Sequence, residues 1–111
     1  MATKPSTVDY ILDQLISLED VTARKMFGEY ALYYKGRVVA LVCDDTLFVK
    51  ITEPGKAFVA EHYQEGAPYK GAKPSMQIDE ERIEDREWLC DLIEITAENV
   101  PLPKEKRRKS A

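Results

Sequence analysis

The chain has few of the residues from which active sites and metal sites are usually built. Among 111 residues it contains one histidine, His62, and two cysteines, Cys43 and Cys90. A serine or cysteine nucleophile needs an oriented base, and His62 has no identifiable partner of that kind, so we interpret it as a solvated surface residue. Two distant thiols without further ligands make a poor zinc site, and we expect both to be buried and inert. We therefore expect no enzyme activity, no metal and no cofactor.

Long apolar stretches are also missing. The longest apolar run, Val38 to Cys43, is far shorter than the roughly 20 residues that span a bilayer. The N-terminus does not combine a basic segment with an apolar one, as a secretory signal does. No glycine-rich phosphate loop follows the first predicted strand, which argues against a doubly wound nucleotide-binding fold. We expect a cytoplasmic protein that makes no membrane contact.

Charge is distributed unevenly along the chain. The formal net charge is −4, yet residues 104–109 hold five cations against one acid, whereas residues 79–98 hold nine acids against two arginines. Because prolines and a charge run leave nothing to bury, we expect residues 1–100 to form the domain and residues 101–111 a flexible basic tail. The tail cations that could contact nucleic-acid phosphates are Lys104, Lys106, Arg107, Arg108 and Lys109. The alternatives are a solvated tail and a tail that folds back on the acidic last helix.

The first half of the chain has the pattern of a helix followed by an antiparallel meander. Ser6 and the acid three residues later are typical of a capped helix, which we expect over residues 7–18. Turn signals at Gly28, Lys35-Gly36 and Asp44-Asp45 divide the following apolar residues, and we interpret the two aspartates as turn residues rather than magnesium ligands. We expect strands at residues 21–27, 30–35, 37–43 and 46–51.

The second half predicts two more helices around short extended pieces. Pro54 suits the first turn of a helix over residues 54–63. Residues 69–75 are expected to form a loop between two short strands, the second of them near residues 75–78. The inward side chains of that helix are expected to be Ala57, Phe58 and Tyr63. Asp85 is the expected N-cap of a last helix over residues 86–99. Its buried side is expected to comprise Trp88, Leu89, Leu92, Ile93, Ile95 and Thr96. The order of elements predicts an α+β two-layer sandwich, with helices packed on an antiparallel sheet.

Aromatic and basic residues alternate in the predicted sheet, as they do on surfaces that stack single-stranded nucleic acid. The set comprises Lys25, Tyr33, Tyr34, Lys35, Arg37, Lys50, Tyr69 and Lys70. Strand alternation places Leu32 and Tyr34 on one face and Ala31 and Tyr33 on the other, and one face must be core. Ordinary cross-strand pairing of the tyrosines explains most of the pattern.

An ordered set of short motifs resembles the N-terminal domain of the TfoX/Sxy family. The matching residues are Arg24, Lys25, Met26, Phe27, Gly28, Tyr30, Gly36, Cys43, Leu47, Phe48, Val49, Lys50, Pro68, Tyr69 and Met76. The resemblance covers the chain from about Val8 to Asn99. The family offers no catalytic residues, so we interpret these positions as structural.

The resemblance implies a small α+β domain similar to the secretion-chaperone-like sandwich, without enzyme activity. Full-length members are positive regulators of bacterial competence genes, thought to work with the cyclic-AMP receptor protein, and carry a second, helical domain. This chain is expected to be a single-domain member without that second domain. We expect a regulatory or adaptor domain that acts by binding an unidentified protein or a second copy of itself. The alternative is a nucleic-acid-associated accessory protein that uses the basic tail.

Overall fold

The chain folds as a helical layer on one antiparallel sheet. The computed structural model describes residues 3–26 and 29–100. In these residues the strands are β1 (Thr22–Met26), β2 (Glu29–Tyr34), β3 (Arg37–Cys43), β4 (Thr46–Val49), β5 (Glu65–Gly66) and β6 (Ser75–Ile78). The helices are α1 (Pro5–Gln14), α2 (Glu53–Val59), α3 (Glu80–Glu84) and α4 (Arg86–Asn99), with 3-10 turns at Ile16–Leu18 and Ala60–His62. This is the α+β two-layer sandwich that the sequence predicts.

Two-residue turns join β2 to β3 and β3 to β4, as predicted. Lys35 and Gly36 have φ of 56° and 77°, and Asp44 and Asp45 have φ of 52° and 60°. Positive φ at both turn residues gives the type I′ geometry, whose twist matches that of the flanking strands. The six strands lie in the order β1-β2-β3-β4-β6-β5, and every pair is antiparallel.

The hydrophobic core lies between the sheet and the helices. Leu32, Ala40, Val49 and Met76 are in register across β2, β3, β4 and β6, and all four are fully buried. Because side chains alternate along a strand, this row faces one side of the sheet only. The helices cover it with the buried side chains Val8, Ile11, Val59, Ile83, Leu89, Leu92 and Ile93. Full burial of such a side chain contributes roughly 1.5–3 kcal/mol.

The first helix differs from its prediction at both ends. α1 covers Pro5–Gln14 rather than residues 7–18, and Ser6 does not cap it. The acceptor is instead the carboxylate of Asp45, which receives hydrogen bonds from the Lys4 backbone N–H and the Thr7 hydroxyl, each at 2.9 Å. These two hydrogen bonds lower the pKa of Asp45. The cap prediction is wrong because it considered neighbouring residues only, whereas the acceptor comes from a distant turn.

The second helix is also shorter than predicted, and its inward face agrees with the prediction only in part. Its N-cap is Thr52, whose hydroxyl accepts the Gly55 N–H at 3.0 Å. Gly55 and Val59 are buried, while Ala57, which was expected to face inward, is exposed. Residues four apart share a helix face and a residue midway between them lies opposite, so burial of 55 and 59 places 57 outside. Phe58 and Tyr63 are half-buried.

The last helix agrees closely with its prediction. The Asp85 carboxylate accepts the Trp88 N–H at 3.1 Å, which confirms the predicted N-cap. Leu89, Leu92, Ile93 and Thr96 are buried, while Trp88 and Ile95 are half-buried. The sequence did not predict α3, because five residues are too few to show a hydrophobic period. It predicted two short strands between the second helix and the last one, and the structure has β5 and β6 there. Within the described residues, no helix combines the length and apolarity that crossing a membrane requires.

Candidate interaction surface

The sheet face opposite the core, which we call the outer face, is also apolar. Register places Ala31, Leu41 and Phe48 side by side on β2, β3 and β4, with Tyr33 and Val38 as the next pair. Ala31 is 1% exposed and Phe48 7%, whereas Leu41, Tyr33 and Val38 are half-buried. The outer face is therefore shielded from solvent in its middle and partly open around it.

Two local contacts provide part of this shielding. The Arg24 guanidinium lies over the Tyr33 ring, 5.7 Å from its centroid. At the other edge of the sheet the backbone of Gly66 packs on Phe48, because a Cβ added there would lie 3.2 Å from Phe48 Cε1. A side chain at position 66 would push against that ring, so glycine allows β5 to approach this closely.

An open groove of about 1020 Å³ runs from the outer face past the end of the sheet. Val38 and Leu41 line it on the sheet, and the segment from Lys50 to Pro54 lines it where the chain crosses to α2. The connection between β5 and β6, from Pro68 to Ser75, and the end of α4 complete the lining. Most of these side chains are apolar. Tyr69 is 58% exposed, so a large aromatic ring is presented at the surface.

Few of the described residues that line the groove are charged. They are Lys50, Glu53 and Lys73, all of them exposed. Lys50 is held at the end of β4, where its N–H donates to the Val39 carbonyl at 3.0 Å. With one carboxylate against two ammonium groups, the groove is slightly basic. Such a lining suits an extended, mainly apolar segment better than a highly charged one.

The helical side of the protein is strongly acidic. All nine acids of residues 79–98 are exposed: Asp79, Glu80, Glu81, Glu84, Asp85, Glu87, Asp91, Glu94 and Glu98. We call them the acidic helical surface. The two arginines in the same stretch are engaged locally. Arg86 pairs with Asp13 at 3.3 Å and reaches the Gln14 side-chain oxygen at 3.1 Å, and Arg82 lies 5.8 Å from the Trp88 ring centroid.

Beneath that surface a buried amide joins three helices. Gln14 is 6% exposed, and its side-chain N–H groups donate to the carbonyls of Ile83 at 2.9 Å and Glu84 at 3.2 Å. These carbonyls end α3 and have no intrahelical partner of their own. The Cys90 thiol on α4 lies 3.5 Å from the Gln14 carbonyl oxygen. The helical layer thus satisfies its own polar groups.

The structure brings three of the family-motif residues together and disperses most of the others. Lys50, Pro68 and Tyr69 all line the groove. Met76 is in the core, Met26 is 38% exposed at the end of β1, and Gly36 forms a turn. Lys25 and Tyr30 form a pair between β1 and β2. Phe27, Gly28, residues 101–103 and the tail cations Lys104, Lys106, Arg107, Arg108 and Lys109 lie outside the described residues.

The predicted aromatic and basic platform does not form a single surface. Tyr34 is buried on the core face, and Lys35 Nζ lies 5.2 Å from its ring centroid, while Tyr33 lies on the outer face. The tyrosines of β2 pair across the sheet with Val42, Val38 and Arg37. Strand alternation therefore separates the platform residues, and cross-strand pairing accounts for the tyrosines.

His62, Cys43 and Cys90, the residues considered for chemistry, are not among the described residues that line the groove. His62 is exposed and meets the Trp88 ring edge-on, with centroids 6.4 Å apart. Cys43 and Cys90 are buried, as predicted. Burial, followed by the charges of Glu29 and Asp44, raises the pKa of the Cys43 thiol, which disfavours the reactive thiolate. Across residues 3–26 and 29–100, histidine, cysteine and acidic side chains form no group of three that could hold a metal ion.

Sequence reasoning missed the groove as a unit. Its lining comes from the sheet, the start of α2, the β5–β6 connection and the end of α4, which lie far apart in the chain. A pattern read along one segment cannot combine four of them. The available signal was the family motif, which includes Lys50 and Tyr69 without indicating that they meet.

Comparison with known proteins identifies the family. The sequence model of the TfoX N-terminal domain matches residues 13–100, a range that contains all the strands described above. The "uncharacterized 12.7 kDa protein in trpE 5'region" of Spirochaeta aurantia is 36% identical over 110 residues. That alignment covers 99% of this chain and 94% of the relative. The chain therefore belongs to the TfoX N-terminal domain family.

Proposed function

We propose that the protein is a non-enzymatic regulatory adaptor that binds another protein through the outer face and the groove. The observation that carries this proposal is the groove itself, an apolar surface with an exposed Tyr69 on the side of the sheet away from the core. Interfaces between proteins are enriched in aromatic residues at their centre. A standard interface buries about 800 Å² on each partner, an area that one sheet face and its flanking loop can provide.

The edge of the sheet offers a second mode of contact next to the outer face. Within the described chain, β1 pairs with β2 alone, so its other edge is open to an extended segment of a partner. Arg24 and Lys25 lie on this edge. Antiparallel pairing of two β1 strands would bring these like charges close together, which disfavours a symmetric dimer there and favours an acidic partner strand.

The composition of the groove supports a binding role rather than catalysis. Among the described lining residues, Glu53 is the one carboxylate, and histidine and cysteine do not occur. General acid–base catalysis needs a proton donor and acceptor placed around the reacting atoms. Membership of the TfoX N-terminal domain family supports a role in transcription regulation related to competence, which is what the family resemblance implies.

Affinity capture with crosslinking from the native host tests the adaptor proposal. We expect a specific partner to be recovered with the wild-type protein and lost with Tyr69→Ala and Leu41→Ser, which alter the groove. Glu94→Gln, on the acidic helical surface, is the matched control and is expected to retain the partner. Circular dichroism should show that all variants are folded. Recovery that survives both groove variants, or that is lost only in the control, would place the binding surface elsewhere.

A second candidate function is contact with single-stranded nucleic acid. It is supported by the two lysines and the exposed tyrosine in one groove, since aromatic rings stack bases and cations follow the phosphate backbone. Such binding is expected to weaken steeply with salt. Measuring oligonucleotide affinity at low and high salt, with and without residues 104–111, tests it. If removing those residues leaves the affinity unchanged at both salt concentrations, the tail has no part in binding.

A further inference from the structure

The described part of the chain ends in the groove. Asn99 and Val100 both line it, and the Val100 N–H is still held by the Thr96 carbonyl at 3.0 Å. Val100 has φ −97° and ψ 148°, an extended conformation that directs the chain away from the helix axis. The next residues in the sequence are Pro101, Leu102 and Pro103. The described chain therefore ends at the groove, one residue before Pro101.

We propose that Pro101, Leu102 and Pro103 of the same chain dock in the groove as a tethered ligand. If the groove is the adaptor surface proposed above, on which this last step rests, a partner must displace the segment before it binds. The residues after Pro103 carry the basic run, so displacement would also change where those cations lie.

The chemistry of the groove fits a proline-containing segment. Proline-rich segments adopt the polyproline II conformation before they bind, so docking orders little additional backbone, and they bind apolar grooves that present aromatic rings. Here the groove presents the exposed ring of Tyr69 together with Pro54, Pro68 and Pro74. Three residues in this conformation span about 9 Å at roughly 3.1 Å each. A groove of about 1020 Å³ has room for them and for the Leu102 side chain.

Charge limits the docked segment to its apolar part. Among the described lining residues there are two lysines, Lys50 and Lys73, and one carboxylate, Glu53, so the cations that begin at Lys104 are not favoured inside the groove. The competing position for the tail is the acidic helical surface. Association there would depend on charge and weaken with added salt, whereas apolar docking would persist. Tethering gives a segment with a very short linker an effective concentration of order millimolar, so docking requires only weak intrinsic affinity.

Nuclear magnetic resonance of the full ¹⁵N-labelled chain tests the docking. The informative variant is Leu102→Ser, and the matched control is Lys106→Ser, which introduces the same residue outside the apolar segment. We expect Leu102→Ser to shift the amide resonances of Ile51 and of residues 69–75 at both low and high salt, while the control leaves them unchanged. Tyr69→Ala is expected to shift the Leu102 amide in turn. A free peptide of residues 100–106, added to the Leu102→Ser protein, should restore the resonances at roughly millimolar concentration.

Three outcomes would overturn the proposal that residues 101–103 dock in the groove. Unchanged groove resonances in Leu102→Ser would show that the segment does not dock. Shifts at Asp91, Glu94 and Glu98 that vanish at high salt would place the tail on the acidic helical surface. Shifts that depend on protein concentration would show that the groove takes the segment of a second copy. The adaptor proposal can fail while the docking proposal stands. This would be the result if Leu102→Ser shifts the groove resonances as expected but Tyr69→Ala leaves capture of the partner unaffected. A partner that binds the wild type and Leu102→Ser with equal affinity would refute displacement alone.

Discussion

The helical side of this protein and the outer face of its sheet differ in how completely their side chains are buried or paired within the chain. On the helical side, buried apolar residues pack against the sheet, Gln14 and Arg86 bind groups within the layer, and the exposed positions are acidic. On the outer face, apolar side chains such as Leu41 and Val38 stay partly open, next to an exposed tyrosine. The helical side needs no further partner for stability, whereas the outer face retains apolar surface that another segment can cover. Stability and binding should therefore respond to different substitutions.

Truncating a core residue should have the largest effect on stability. Leu92 is fully buried on α4 beneath α2, so Leu92→Ala is expected to lower the free energy of unfolding by about 2–5 kcal/mol, through lost burial and the cavity left behind. Leu41→Ala, on the half-open outer face, should lower the free energy of unfolding by clearly less. Urea denaturation of both variants measures the difference. Equal losses would mean that the outer face belongs to the core and would remove the distinction between the two surfaces.

Removing the buried amide of Gln14 should have the second-largest effect on stability. Gln14→Ala leaves the carbonyls of Ile83 and Glu84 without their donor, and an unsatisfied buried polar group costs about 1–3 kcal/mol. The matched control is Asp13→Ala, which removes an exposed ion pair worth about 0–1 kcal/mol. Hydrogen exchange should show the loss concentrated in α3. A smaller loss for Gln14→Ala than for Asp13→Ala would contradict the role given to the amide.

Gly55→Ala should destabilise the protein although alanine is the better helix former. A Cβ at this position would lie 2.8 Å from the Thr52 hydroxyl oxygen, which caps α2. Alanine is expected to gain about 1 kcal/mol over glycine from helix propensity. Loss of the cap costs about 0.5–2 kcal/mol, and the strain of the collision adds to this cost, so the net effect should be destabilising. The double variant Thr52→Ala with Gly55→Ala should lose less stability than the two single variants added together, because the Thr52 hydroxyl is no longer there to collide with the new Cβ. A more stable Gly55→Ala variant would refute the collision.

The smallest effect is a pH dependence at the β3–β4 turn. The pKa of Asp45 is lowered by its hydrogen bonds to Lys4 and Thr7, so its contribution to stability is present above the unfolded-state pKa of about 3.9. That contribution is lost as pH falls through the lower, folded-state pKa. Asp45→Asn should therefore be less stable than wild type at neutral pH and approach it as the pH falls below the unfolded-state pKa. Thermal unfolding across this pH range measures the difference.

Asp44→Asn is the control for that experiment, because among the described residues no hydrogen bond reaches the Asp44 carboxylate. Its stability difference from wild type should not vary with pH in the same way. If the Asp45→Asn difference stays constant from neutral pH to pH 2, the lowered pKa does not contribute to folding.

The sequence predicted those parts of the fold that depend on neighbouring residues. The type I′ turns, the meander and the Asp85 cap of α4 follow from short signals and were found as expected. The cap of α1 could not be predicted this way, because the Asp45 carboxylate reaches it from a different part of the sheet. The inward face of α2 was predicted only in part, because Phe58 and Tyr63 pack against the core whereas Ala57 is exposed.

The candidate site was less predictable than the fold. Tyr69 and Lys50 were singled out by their place in a family motif, but the groove that they line was not predicted. The reason is physical, because binding surfaces are assembled from segments that only the tertiary fold brings together. A carboxylate or histidine cluster would have been visible in the sequence, whereas an apolar groove has the composition of any core.

The remote acceptor of α1 has a consequence for the order of folding. During synthesis, Pro5–Gln14 is made well before Asp45, so the Lys4 N–H and the Thr7 hydroxyl at the start of the helix receive this acceptor only after the β3–β4 turn has been made. Formation of α1 is therefore coupled to the hairpin, as expected for a contact of long sequence separation. Nascent chains halted before residue 44 should show rapid amide exchange throughout Pro5–Gln14, and early protection of this helix would refute the coupling.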